Sequence, residues 1–125
     1  MKEDYFRELL GIKLIEVKDG YSKMSLKISK EHTNFVGFTH GAVLFALADC
    51  AFAEAVNFGD TQAVAVQVSI NYLRPTSEGD VLTAEATTVS DGRTLALCSV
   101  VVRKEEKDVA LFSGLAYKVR SDKKI

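Results

Sequence analysis

Apolar and polar residues alternate along much of this chain, and one long apolar stretch stands out against the pattern. Val64, Val66, Val68, Ile70 and Tyr72 are interleaved with Ala65, Gln67, Ser69 and Asn71, the period-two pattern of a strand with unlike faces. Residues 21–28 repeat it, with Met24, Leu26 and Ile28 set against Lys23, Ser25 and Lys27. Residues 12–17 precede that run across Lys18-Asp19-Gly20, and an Asp-Gly pair between two such runs signals a hairpin. Three more strands are predicted over 81–89, 93–103 and 109–119, divided by the turns 75–80, Ser90-Asp91-Gly92 and a charged tip at 104–108. Long strands joined by tight turns predict a meandering antiparallel sheet.

The exception is residues 41–57, rich in Ala, Leu and Phe and closed by Gly59-Asp60. Good helix formers of that length predict one long helix, and apolar residues nearly all round it predict a buried one. A short amphipathic helix over 4–10 is predicted before the first strand, with Tyr5, Phe6, Leu9 and Leu10 on one side and Gly11 as its stop. Residues 29–40 carry no period and read as a loop. The order is therefore helix, two strands, long helix, four strands. A sheet of five to six strands buries a central helix only by curling round it, an α+β arrangement. One helix covers too little of such a sheet, so apolar surface is left for a partner chain.

Composition narrows the function classes. A chain of 125 residues makes one domain, 1–125. With 16 basic and 17 acidic residues the net charge is −1, which offers no footprint for nucleic acid. The basic tail Lys118, Arg120, Lys123 and Lys124 reads as a solvated terminus. The first six residues lack a hydrophobic signal region, and the longest apolar run, 42–53, is too short for a bilayer and contains Asp49. Cys50 and Cys98, the only cysteines, read as buried reduced thiols. The expected compartment is the cytoplasm, with no membrane partner.

Asp49 is the only acidic or basic residue between His40 and Glu54. A carboxylate in an apolar helix needs a reason, either a structural hydrogen bond or ion pair, or a role as base or nucleophile in a cleft. His40-Gly41 falls where the helix begins. A helix N-terminus presents unpaired N–H groups and partial positive charge, and Gly41 has no side chain to block an approaching oxygen. The pair is either a helix cap, with Thr39 or His40 capping, or a site that polarises a carbonyl. Gly41 and Asp49 are eight residues apart, roughly 12 Å of helix rise. Reacting groups must lie within about 3–3.5 Å of one another. One helix cannot bring both to one substrate, whereas two antiparallel helices across a twofold axis can.

The stretch Asn34-Phe35-Val36-Gly37-Phe38-Thr39-His40-Gly41-Ala42, followed by Phe45-Ala46-Leu47-Ala48-Asp49, resembles the active-site segment of hotdog-fold thioesterases. The phenylacetic-acid-degradation (PaaI-like) acyl-CoA thioesterases carry the similar pattern N-x-x-G-x-x-H-G-G-x-x-x-x-L-A-D. Asn71-Tyr72-Leu73-Arg74-Pro75 with Gly79-Asp80, and Asp91-Gly92-Arg93-Thr94, resemble the family's later signatures. The second glycine of the pattern is Ala42 here. The resemblance implies a hotdog fold and hydrolysis of an acyl-CoA thioester. It implies Asp49 as nucleophile or general base, Asn34 as the residue positioning water or substrate, and Gly41 N–H as the donor to the carbonyl, with His40 shaping the site. It implies a site shared across a dimer interface, in a dimer or a dimer of dimers.

Coenzyme A enters as part of the substrate, and no separate cofactor is expected. Its phosphates need cations or backbone donors. Gly92, Arg93 and Arg74 are candidates, or else solvated groups at strand ends. Gln67, Ser69 and Asn71 either line the cleft or satisfy one another. Phe45, Phe52 and Phe58 permit an aromatic or medium-chain acyl group. His32 reads as a surface residue, and two histidines with no cysteine or carboxylate at ligand spacing predict no metal site. Cys50 has no basic neighbour to activate it, and Glu54 lies about 140° round the helix from Asp49. Two other functions share these features: a hotdog hydratase or dehydratase using His40 and Asp49, and a non-catalytic acyl-CoA binding module.

Overall fold

The structure, a computed structural model, describes residues 3–120. The elements are α1 (Tyr5–Leu10), β1 (Lys13–Lys18), β2 (Tyr21–Lys27), a 3-10 turn at Lys30–His32, α2 (Gly41–Val56), β3 (Gln62–Tyr72), β4 (Val81–Asp91), β5 (Leu95–Lys104) and β6 (Lys107–Arg120). The α+β class and the order of α-helices and strands are as expected, and the 3-10 turn lies in the segment read as loop. The tip at Glu105-Glu106 is tighter than the pattern implied, because Glu105 takes a left-handed φ of 55° that shortens the turn.

The six strands form one antiparallel sheet in the order β1-β2-β4-β5-β6-β3. Only β4-β5-β6 meander, which corrects the expectation for the whole sheet. After β2 the chain runs the length of α2 and re-enters at the opposite edge, so β3 pairs with β6 while β2 pairs with β4. The helix touches all six strands, as a sheet wrapped round it requires.

Small residues make this possible. Ala46, Ala48, Ala51 and Ala55 of α2 are buried against Ala84, Ala86, Ala96 and Ala116 of the sheet. Larger side chains, Met24, Leu82, Val100 and Phe112 among them, fill the flanks. Gly114 of β6 lies directly beneath Phe52. A Cβ there would sit 2.8 Å from the Phe52 ring, itself packed on Phe112 with centroids 5.7 Å apart. Ser22, fully buried, donates its hydroxyl to the Ala51 carbonyl at 2.5 Å and ties β2 to α2.

Three expectations change. First, α2 is not buried on every side. Ten of its residues are, but Ala42 and Phe45 are exposed and Asp49 is half-buried, at i, i+3 and i+7 on one stripe. Second, Lys118 is no part of a solvated tail. Its ammonium lies under the β4–β5 turn, bonded to the Asp91 carboxylate and, at 2.6 Å, to the Gly92 carbonyl. Arg120 is exposed, and Lys123 and Lys124 lie outside the described residues. Third, Gln67, Ser69 and Asn71 face away from the helix. Their register partners are Leu115, Ser113 and Leu111, whereas Val68 and Ile70 oppose Gly114 and Phe112 on the inner face. Among the described residues no helix is long and apolar enough to cross a membrane.

Candidate active site

His40 caps α2. Its backbone is extended (φ −63°, ψ 135°), and its Nδ1 accepts the Ala42 N–H at 3.1 Å, which satisfies one of the orphan donors of the first turn. The Gly41 N–H has no acceptor among the described residues. A side chain at Gly41 would press on a neighbour, which would have to give by a few tenths of an ångström. Tyr72, at the end of β3, lays its ring on it, so that a Cβ would come 3.3 Å from Tyr72 Cζ. The Tyr72 hydroxyl donates to the Gly41 carbonyl at 3.1 Å. Beside them is an open hollow of about 290 Å³ lined by Phe38, Gly41, Leu44, Tyr72, Arg74 and Pro75 among others.

The loop leading to the cap is organised by Asn34. Its Oδ1 accepts the N–H groups of Val36, Gly37 and Phe38 at 3.0, 3.1 and 3.2 Å. Gly37 is suited to this turn, with φ at 100°. The Asn34 side-chain N–H groups have no acceptor among the described residues, so Asn34 holds the loop with one end and can donate with the other. Thr33 bridges Thr39, whose N–H donates to the Thr76 carbonyl at 2.8 Å.

Asp49 is built in the opposite way. Among the described residues no donor or cation pairs with its carboxylate. Burial raises its pKa above the ordinary carboxylate value, and the Asp4 carboxylate of α1 adds to the rise. Phe45 lies between Asp49 and the helix tip, its ring edge-on to Phe112 at 5.7 Å. Alongside the C-terminal half of α2 runs a groove of about 770 Å³ bordered by Asp4, Tyr5, Ala53, Glu54, Asn57 and Arg120 among others. Glu54 is paired with Arg7 at 3.2 Å, and so makes no acid pair with Asp49.

Within one protomer the structure brings together His40, Gly41 and Arg74 at the helix tip, with the Asn34 loop adjoining. It leaves Asp49 two turns away along the same helix. Gly92 and Arg93 are at the far end: Asp91 shares a small cavity with Ala55, Val56 and Phe58, roughly 22 Å of helix rise from Gly41. Tyr72 was not singled out from the sequence. Its inward phase in the β3 alternation, one residue before the chain turns, was the available signal. His32 is corrected from a surface residue to one only 7% exposed, and the Ser29-x-x-His32 spacing of a capping box was its signal. Burial pushes the thiols of Cys50 and Cys98 up to about 12 and about 11, which makes neither a ready nucleophile. Among the described residues no three His, Cys, Asp or Glu side chains cluster as a metal site would require.

The model of the thioesterase superfamily matches residues 36–111, more than half of the chain. Acyl-coenzyme A thioesterase PaaI of Escherichia coli K12 is 34% identical across 94% of this chain and 85% of its own length. The crystal structure of protein TT0310 from Thermus thermophilus superposes with a TM-score of 0.92 at 36% identity, covering 94% of this chain and all of that one. A hypothetical thioesterase from Streptococcus pneumoniae TIGR4, solved with coenzyme A, superposes with a TM-score of 0.83 at 28% identity over 89% of this chain and 92% of that one. This chain belongs to the hotdog-fold thioesterase superfamily, and it is a thioester hydrolase.

Proposed function

We propose that this protein hydrolyses acyl-CoA thioesters at a site shared by two copies of the chain. The observation that carries this reading is the division of one helix into an open donor at Gly41 and an unpaired acid at Asp49, some 12 Å apart. The Gly41 N–H of one protomer would polarise the thioester carbonyl and take up the charge of the tetrahedral oxyanion. Asp49 of the other would attack the carbonyl carbon directly or draw a proton from the attacking water. The carbon–sulfur bond then breaks and coenzyme A leaves as its thiol.

β3 supplies a means of pairing. It is an edge strand of eleven residues with no charged side chain, and Val64 and Val66 are exposed along it, whereas unpaired edges are usually blunted by charges. Twofold antiparallel pairing there would extend the sheet through both protomers and lay the two α2 helices side by side in opposite directions. The far end of one protomer, with Gly92 and Arg93, would then approach the tip of its neighbour, where Arg74 lies. Those three would hold the coenzyme A phosphates, and the Asn34 amide would donate to water or substrate. His40 serves in this reading as cap and wall, because its Nδ1 is occupied by Ala42 N–H. That arrangement disfavours the hydratase reading, in which His40 would move protons.

The direct test is complementation. Asp49→Asn and Gly41→Ala are each expected to be inactive as homo-oligomers. Unfolded together and refolded, they should regain about a quarter of wild-type thiol release, since half of random dimers are mixed and each mixed dimer holds one intact site. No recovery from mixtures shown to exchange subunits would refute the shared site.

A further inference from the structure

We propose that His32 is a positioning residue for the hydrolytic site, tying the N-terminal helix to the cap of α2 and so fixing where the Gly41 N–H lies; the catalytic half of this rests on the function proposed above. His32 is attached in three directions, most heavily to Ser29, whose carbonyl accepts the His32 N–H at 3.0 Å and whose hydroxyl lies 3.2 Å from Nδ1. Its Nδ1 accepts the Ser29 N–H at 2.9 Å, just past the end of β2. Its Nε2 lies 2.9 Å from the Leu10 carbonyl at the end of α1. Its own main-chain carbonyl accepts the His40 N–H at 2.8 Å. A backbone N–H can only donate and a carbonyl can only accept, so the ring is neutral with its proton on Nε2. Both nitrogens are committed, and the side chain is buried.

The arrangement matters because, beyond the packing of Leu10 on the core, α1 has few other attachments. None of its residues is buried, and Tyr5, Phe6 and Leu9 are 74, 58 and 80% exposed. Its other polar anchor to the body of the fold, among the described residues, is the Arg7–Glu54 pair at 3.2 Å, with side chains 15 and 38% exposed. His32 therefore joins a loosely seated helix to the segment whose geometry the chemistry needs. One hydrogen bond separates residue 32 from the N-cap, and the N-cap's φ and ψ set the direction of the next peptide N–H. An oxyanion donor works by preorganisation, so a displacement of a fraction of an ångström there lowers turnover more than ground-state binding.

Single-arm variants separate this role from simple packing. His32→Asn keeps an acceptor for Ser29 N–H but falls short of Leu10. His32→Gln reaches the Leu10 carbonyl with its amide and gives up Ser29. His32→Ala loses both. For the full-length protein, kcat for phenylacetyl-CoA thiol release should fall about fivefold in each single-arm variant and about thirtyfold in His32→Ala, with KM within about twofold. Exchange of the His40 amide, followed by NMR or mass spectrometry, should quicken in the same order, by about tenfold or more in His32→Ala. Unchanged kcat per folded molecule alongside a lowered Tm would overturn the positioning role, as would a His40 amide whose exchange does not respond. Should His32→Ala fail to fold, the two single-arm variants decide the matter by the same criteria. If the wild type releases no thiol from any acyl-CoA, it is the thioesterase reading that fails, and the exchange of the His40 amide still decides whether His32 fixes the tip.

Discussion

The tip of α2 and its middle are built on opposite principles. At Gly41 nearly everything is held: His40 caps Ala42, Tyr72 bonds the Gly41 carbonyl from beneath, and the Asn34 loop is drawn closed by three N–H bonds. At Asp49 the carboxylate has no partner among the described residues, and its pKa rises with burial. A donor that stabilises developing charge gains from rigidity, since no reorganisation remains to be done when the charge appears. An acid that must act on substrate gains from having no internal partner to compete for it. In the proposed site, the difference between the two regions is thus the difference between a fixed dipole and a reactive group.

Five measurements sharpen or break that contrast. Asp49→Asn should lower kcat by about a thousandfold, within the range for loss of a positioned base or nucleophile. In the wild type the acid limb of the pH–rate profile should lie above the ordinary aspartate value, because the active form is the carboxylate and burial favours its protonation. A limb at the ordinary value would show that Asp49 is solvated during turnover. Gly41→Ala should lower kcat by about a hundredfold. If crowding against Tyr72 is the cause, Gly41→Ala combined with Tyr72→Ala recovers part of the loss; if the methyl group blocks the oxyanion, the double variant stays inactive. Tyr72→Phe keeps the ring and removes one neutral hydrogen bond, worth about 1 kcal/mol, so a roughly fivefold fall in kcat is expected. The smallest effect is on stability. Because the folded-state pKa of Asp49 is raised, its charged form is penalised in the fold above that pKa, and the penalty is absent below the unfolded value. Asp49→Asn should therefore raise Tm by about 2 °C at neutral pH, with the gain vanishing as pH falls through the carboxylate range. A lower Tm at neutral pH would mean that the carboxylate is paired after all.

Much of this was legible in the residues. Alternation and turn signals located six strands, and the long apolar stretch between them located α2, because side-chain burial has period two in a strand and near-continuous apolarity marks an enclosed helix. The Gly41–Asp49 spacing was legible because helix rise per residue is fixed. What depends on contacts between distant segments was not. Nothing local tells β3 to cross to β6 instead of lying beside β2; that follows from how a sixteen-residue helix spans the sheet. Lys118 looked like one charge of a basic tail, and only the pairing that brings Asp91 and Gly92 above it makes it an interior residue. His32 was misplaced for the same reason, since its partners Leu10 and Ser29 belong to two other segments.

The missing side chain at Gly114 has a consequence for inheritance. Phe52, buried between Phe112 and that bare stretch of β6, would meet a Cβ at position 114 within 2.8–3.0 Å of three of its ring atoms. A methyl group at position 114 would act as a shim and lift α2 off its bed. One helix carries both the donor and the acid, so both would move together. A mutation that disturbs both groups at once would therefore sit sixty-five residues downstream of the acid, on the sheet side of the core, and would look from the sequence like a harmless exchange of one small residue for another.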